Sequence, residues 1–273
     1  MKEIRRNASF DFIKGLACIL AVFIHCKVPS YFGMAVDAVS RFLVPFFFMI
    51  SGYYAYSHGI GKFDTWKKIK HIGGITLFAS LFYISVSVVR YCVFGGPIDL
   101  RLVELLSFLL FNKPPAILPV HLWFLFALLY VYSIYALIVR FNLYRFAYWM
   151  IPVLLVIYVI MAQGMYLCGV NVHTMFYRNF LFYGFPFFML GNWLRQKESL
   201  NVNTISLWII IAVSTVLVLM ERLALGRIFS IYIFNIPQVI RTFPMSGTIH
   251  LFCAGVLSCA LAKPHCQGAA SVS

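Results

Sequence analysis

Acidic residues are scarce in this chain. Of its 273 residues eight are Asp or Glu, against 22 Lys or Arg, and the charged types together make up 11%. A soluble domain carries about 25%, so a water-facing globule is excluded. Metal-ligand spacing is missing too. Cys18, Cys26, Cys92, Cys168, Cys253, Cys259 and Cys266 form no CxxC and lie mostly in apolar runs, where cysteine acts as a small hydrophobe. The histidines make no HExxH or paired pattern, so no metal is expected. A Gly-rich phosphate loop, a polar linker and low-complexity tracts are also lacking. The chain therefore reads as one domain, 1–273, with its core over about 5–262 and a polar tail at 263–273. The first apolar run is too long for the core of a cleavable leader.

Hydrophobic residues make up 62% of the chain, and mean hydropathy is +0.89. Several apolar runs exceed the length needed to cross about 30 Å of hydrocarbon as a helix. In lipid every backbone group must bond internally, which leaves helices or closed barrels. The runs are continuous and do not alternate, so helices are expected. The fold class is all-α, a polytopic transmembrane bundle of about nine spans with no soluble domain. Spans are placed at about 9–26, 40–57, 72–93, 121–139, 147–163, 179–195, 204–221, 228–240 and 246–262. The run at 100–111 is too short to cross and carries Glu104, which marks an interfacial or re-entrant helix.

A net charge of +14 would suggest nucleic acid in a soluble protein. Here the cations sit in short loops, where they set topology, and no nucleic-acid partner is expected. Lys2, Arg5 and Arg6 precede the first span and place the N-terminus in the cytoplasm. The inner segments then fall at 58–71, 140–146, 196–203 and 241–245, and they hold more Lys and Arg than the outer ones. A faint internal echo links "RFLVPFFFMISGYY" at 41–54 with "RNFLFYGFPFFMLGNW" at 178–193. Each has Arg, then Pro-Phe-Phe, then Met and Gly. An aromatic-rich span with a proline kink is the favoured explanation, and a true duplication is the lesser alternative.

The first span carries a polar stripe. Asp11, Lys14, Cys18, Ala21 and His25 have helical spacing and share one face. Asp11 and Lys14, at i and i+3, can pair. Lys14 and His25 are three turns and about 16 Å apart, so they share a face at different depths. A charge deep in lipid costs at least about 2.5–3.5 kcal/mol. Interfacial snorkelling of Asp11 and Lys14 and a satisfied boundary histidine form one explanation. A polar face lining a path across the membrane is the other, with His25 as proton acceptor. Arg41, Arg90, His121 with Trp123, Arg178 and Glu221 fall at the outer ends of other spans and would surround that path.

Four stretches resemble the acyltransferase 3 family of integral-membrane acyltransferases: "FDFIKGLACILAVFIHC", "VPFFFMISGYYAYSHG" followed by "KKIK", "HLWFLFALLYVY" and "RNFLFYGFPFFMLGNWL". They occur in order over roughly residues 5 to 262. The resemblance implies a bundle of about ten spans in a bacterial cytoplasmic membrane. It implies transfer of an acyl group, most often acetyl, from cytoplasmic acetyl-CoA or another acyl-CoA to a glycan or lipid-linked sugar hydroxyl. By that resemblance His25 and Lys14 are the catalytic pair, and Lys67, Lys68 and Lys70 form a basic cradle for CoA phosphates. Asp11, Arg41, Ser51 and His121 are the first candidates for substrate binding. Trp123, Arg178 and Glu221 complete that set. The oxyanion donor stays open among Lys14, Arg41, Ser51 and a tyrosine. Membrane lipid is the other expected partner. The family is usually longer, so the chain is expected to lack a C-terminal span. A permease that uses the same stripe as a translocation path is the alternative, and a structural or sensory subunit is a weaker one; acyl-CoA dependence separates them from an enzyme.

Overall fold

The computed structural model describes residues 8–25, 43–56, 62–95, 102–165, 168–170 and 172–197, with residues 209, 212, 213 and 216. Among them every regular element is helical. In chain order these are α1 (Ala8–His25), α2 (Leu43–Ala55), α3 (Lys62–Phe94), α4 (Leu102–Phe111), α5 (Trp123–Phe141), α6 (Tyr144–Val159) and α7 (Phe185–Gln196). Three of the described segments are long and apolar enough to cross a membrane: Thr65–Phe94, Val120–Phe141 and Tyr144–Ala162. They lie on the expected spans at 72–93, 121–139 and 147–163. Spans 228–240 and 246–262 lie outside the described residues, and 204–221 is represented by four helical positions.

The sequence pattern sets most boundaries, with one large difference. α3 begins ten residues before the expected 72, because "KKIK" favours helix and continues the same rod. Its 33 residues measure about 50 Å, well beyond the roughly 30 Å of hydrocarbon. The excess turns carry Lys67, Lys68 and Lys70. The apolar part faces outward: Phe78 is 74% exposed, and Leu77, Leu81, Phe82 and Val89 are exposed as well. An exposed apolar surface of this kind suits contact with lipid. α4, at ten residues, spans about 15 Å and has no buried residue.

The chain divides into two compact units, residues 1–50 with 194–273, and residues 51–193. In the first, α1 is one unbroken helix of 18 residues. Ala17 on it is fully buried while Leu16, Ile19 and Val22 are exposed. Most of the described side-chain chemistry lies in the second unit. There α5 packs along α3, and Asn142, in the left-handed region at φ 54°, turns the chain tightly from α5 into α6. Two π-turns flank the loop region at the other end, Ile160–Gly164 after α6 and Phe180–Gly184 before α7. The second has a local cause. Pro186 follows it and has no N–H to donate to the preceding turn, and the wider loop re-registers the backbone upstream. The amides of Gly184 and Phe185 accordingly bond the carbonyls of Asn179 and Phe180, five residues back.

Segments of the internal echo meet in this unit. Gly52 of α2 lies against the backbone carbonyl of Phe188 in α7, so that any Cβ there would overlap it. Only glycine allows that approach. Gly52→Ala is therefore expected to lower stability by at least about 1–3 kcal/mol through overpacking. A melting temperature in detergent equal to wild type would contradict this packing.

Candidate functional site

Both ends of the 51–193 unit carry polar chemistry. At the end that holds the α5–α6 turn, α2 stops at Ala55. A helix leaves its last carbonyls without intrahelical donors. Here the Tyr56 amide bonds the Gly52 carbonyl at 3.2 Å, and side chains from other helices add further donors. Asn192 Nδ2 donates to the Gly52 carbonyl at 3.3 Å, Lys68 Nζ to Tyr54 at 2.6 Å and the Tyr135 hydroxyl to Ala55 at 3.3 Å. The Tyr132 hydroxyl donates to the Ser51 carbonyl at 3.2 Å. Lys68 also places a positive charge at the negative end of the α2 dipole.

Asn192 is the hub. It is 0% exposed. Its Nδ2 also donates to the Tyr135 hydroxyl at 3.1 Å, and its Oδ1 accepts from the Tyr148 hydroxyl at 2.8 Å. Tyr144 packs its ring against both Tyr135 and Tyr148. Around this core stand the exposed Lys67, Lys70 and His71 on α3, with Arg140 and Arg145 at the turn. This end is thus basic outside and tyrosine-lined inside.

The opposite end is aromatic. A short 3₁₀ turn, Val120–Leu122, leads into α5. His121 Nε2 and the Tyr83 hydroxyl are 3.1 Å apart, and their rings meet edge to face. The Arg178 guanidinium lies over the Trp123 ring at 5.1 Å. Tyr183 packs on Trp123 and on Tyr158, and Tyr158 on Tyr177. Two buried asparagines fix the backbone beneath. Asn112 donates to the Trp123 carbonyl at 3.0 Å and accepts from the Phe180 amide at 2.8 Å. Asn179 accepts from the amides of Leu181 and Phe182 and caps the π-turn. Glu104 on α4 accepts from the Ala116 amide at 3.2 Å.

The expected site residues therefore distribute as follows. Trp123 and Arg178 touch, and His121 is two residues from Trp123 at the same helix start. Ser51 lies one turn before the carbonyl that Lys68 holds, at the other end of the unit. Lys14 is half-buried on α1. Asp11 and His25 belong to the same helix, with side chains outside the described residues. Arg41 and Glu221 also lie outside them. The helix of 18 residues keeps Lys14 and His25 in register, three turns apart on one side of α1.

Three groups were missed from sequence: the asparagines 112, 179 and 192. The available signal was their position. An Asn inside or bordering an apolar run must find partners, because lipid offers none. Asn179 and Asn192 stand within the quoted "RNFLFYGFPFFMLGNW" itself.

An interhelical hydrogen bond in a membrane protein averages about 0.6 kcal/mol. Three meet at Asn192, so Asn192→Leu should cost on the order of 2 kcal/mol. Thermal unfolding in detergent measures this, and a loss no greater than that of an exposed control such as Phe78→Leu would contradict the hub role.

Among known proteins, a family model described as an acyltransferase domain matches residues 7–267, nearly the whole chain. No curated protein and no solved structure matches it.

Proposed function

The chain belongs to the acyltransferase 3 family, as an integral-membrane protein of acyltransferase type, and on that footing we propose the following reaction. An acyl group, with acetyl the expected one, passes from acyl-CoA in the cytoplasm to a hydroxyl of a cell-surface glycan or its lipid-linked precursor. The family match over 7–267 carries this reading. The membrane is a bacterial cytoplasmic one, the N-terminus is inside, and acyl-CoA is the only cofactor.

In this reading the basic end of the 51–193 unit faces the cytoplasm. The described cations of this unit favour that orientation: Lys67, Lys68, Lys70, Arg140 and Arg145 lie at that end, against Arg90, Lys113 and Arg178 at the other. CoA phosphates bind point charges on the first turns of α3, chiefly Lys67 and Lys70. Lys68 contributes charge while it holds the end of α2.

A sugar hydroxyl is a poor nucleophile near neutral pH. His25, neutral, accepts its proton as the oxygen attacks the thioester carbon, a step commonly worth 10²–10⁴-fold. The tetrahedral oxyanion takes a hydrogen bond from a donor at the level of His25, while Lys14, about 16 Å away along α1, lies nearer the CoA side of the path. Collapse expels CoA thiolate, and the proton held by His25 returns to solvent or to the leaving sulfur.

His25→Ala is expected to abolish transfer of label from acetyl-CoA to an envelope glycan fraction while expression and melting temperature hold. Retention of more than about a tenth of the wild-type rate would remove His25 from the proton transfer. Lys67→Gln with Lys70→Gln is expected to raise the KM for acetyl-CoA with little change in kcat. An unchanged KM would exclude that cradle.

A further inference from the structure

The family reading leaves the character of the acceptor open, and the Trp123–Arg178 stack bears on it. Arg178 is exposed, and its guanidinium lies over the indole of Trp123 at 5.1 Å. A guanidinium held over an indole by cation–π attraction keeps N–H donors for other partners. Among the described residues no carboxylate is paired with those donors; Glu104, the described carboxylate at this end, accepts from the Ala116 amide. The backbone that carries the pair is also held in place. Asn112 fixes the Trp123 carbonyl and the Phe180 amide together, and Asn179, one residue after Arg178, is 1% exposed and bonded to four backbone groups. Tyr183 and Tyr158 extend the aromatic surface beside it. His121, in the 3₁₀ turn that leads into α5, adds a ring whose Nε2 lies 3.1 Å from the Tyr83 hydroxyl.

A rigid fork of donors on an aromatic wall is suited to an oxyanion attached to a ring. Resting on the acyltransferase reading, under which this end faces the acceptor, we propose that Arg178 on Trp123 is an anion-binding subsite. It selects an acceptor saccharide that carries a carboxylate or a phosphate over its neutral counterpart. Bidentate hydrogen bonds to the anion come from Arg178, while the aromatic surface takes the apolar face of the sugar.

The test uses the full chain in nanodiscs of phosphatidylcholine, without acyl donor. Binding of digalacturonate, galactose 1-phosphate and neutral digalactose is followed by calorimetry. A charged hydrogen bond contributes about 1.5–3 kcal/mol, so at least one anionic sugar should bind about tenfold or more tightly than digalactose. Which of the two does so identifies the anion as carboxylate or phosphate. Arg178→Gln should remove that preference, Arg178→Lys should restore part of it, and added salt should weaken it. Equal binding of all three sugars, no binding of any, or a preference that survives Arg178→Gln would overturn the proposal. So would abolition of sugar binding by phosphatidylglycerol in the disc, which would assign the site to a lipid headgroup. Acetyl-CoA turnover, measured separately, reports on the acyltransferase reading, so the two can fail independently.

Discussion

The 51–193 unit depends on how the C-terminal end of α2 is satisfied. The last carbonyls of a helix have no donors within it and need partners from elsewhere. Here the carbonyls of Gly52, Tyr54 and Ala55 receive donors from α7, α3 and α5 in turn. The arrangement also requires close approach, and Gly52 against the Phe188 carbonyl provides it. One helix end thereby ties together three others. Asn192 and Tyr148 extend the tie to α6. Hydrophobic burial does not distinguish one register of apolar helices from another in lipid, whereas this set of hydrogen bonds does.

That constraint separates the two ends of the unit. The α2 end combines a satisfied tyrosine–asparagine interior with a rim of lysines and arginines. The far end combines tryptophan, tyrosines and an arginine stacked on the indole. The proposed reaction, with a phosphate-bearing donor on one side of a membrane and a saccharide on the other, would use this kind of asymmetry. Point charges suit CoA phosphates, and aromatic surfaces suit sugar rings.

Much of the fold was legible in the sequence because lipid enforces a simple rule: long apolar runs become helices. The runs at 121–139 and 147–163 fall within a few residues of α5 and of α6 with its π-turn. The start of α3 was not legible, since hydropathy registers the apolar part of a helix and is blind to the aqueous turns that prolong it. The site was less legible. Trp123 and Arg178 are far apart in sequence and meet in space, but nothing in their spacing announces the stack. Asn112 and Asn192 passed unnoticed because each is a single polar residue in an apolar context, and its value lies in partners that sequence does not reveal. Asp11 and His25 share α1 with Lys14, as the stripe implied, and the chemistry assigned to His25 rests on the family resemblance and on that register.

In the proposed reaction the acyl group crosses from a cytoplasmic donor to an acceptor on the opposite side. Sealed proteoliposomes of uniform protein orientation test it directly. Radiolabelled acetyl-CoA is supplied on the side of Lys67 and Lys70, and an envelope glycan is trapped on the side of Trp123 and Arg178. Label accumulating on the trapped glycan, without leakage of CoA, is the result predicted. Label transferred only when donor and glycan share one compartment would contradict it.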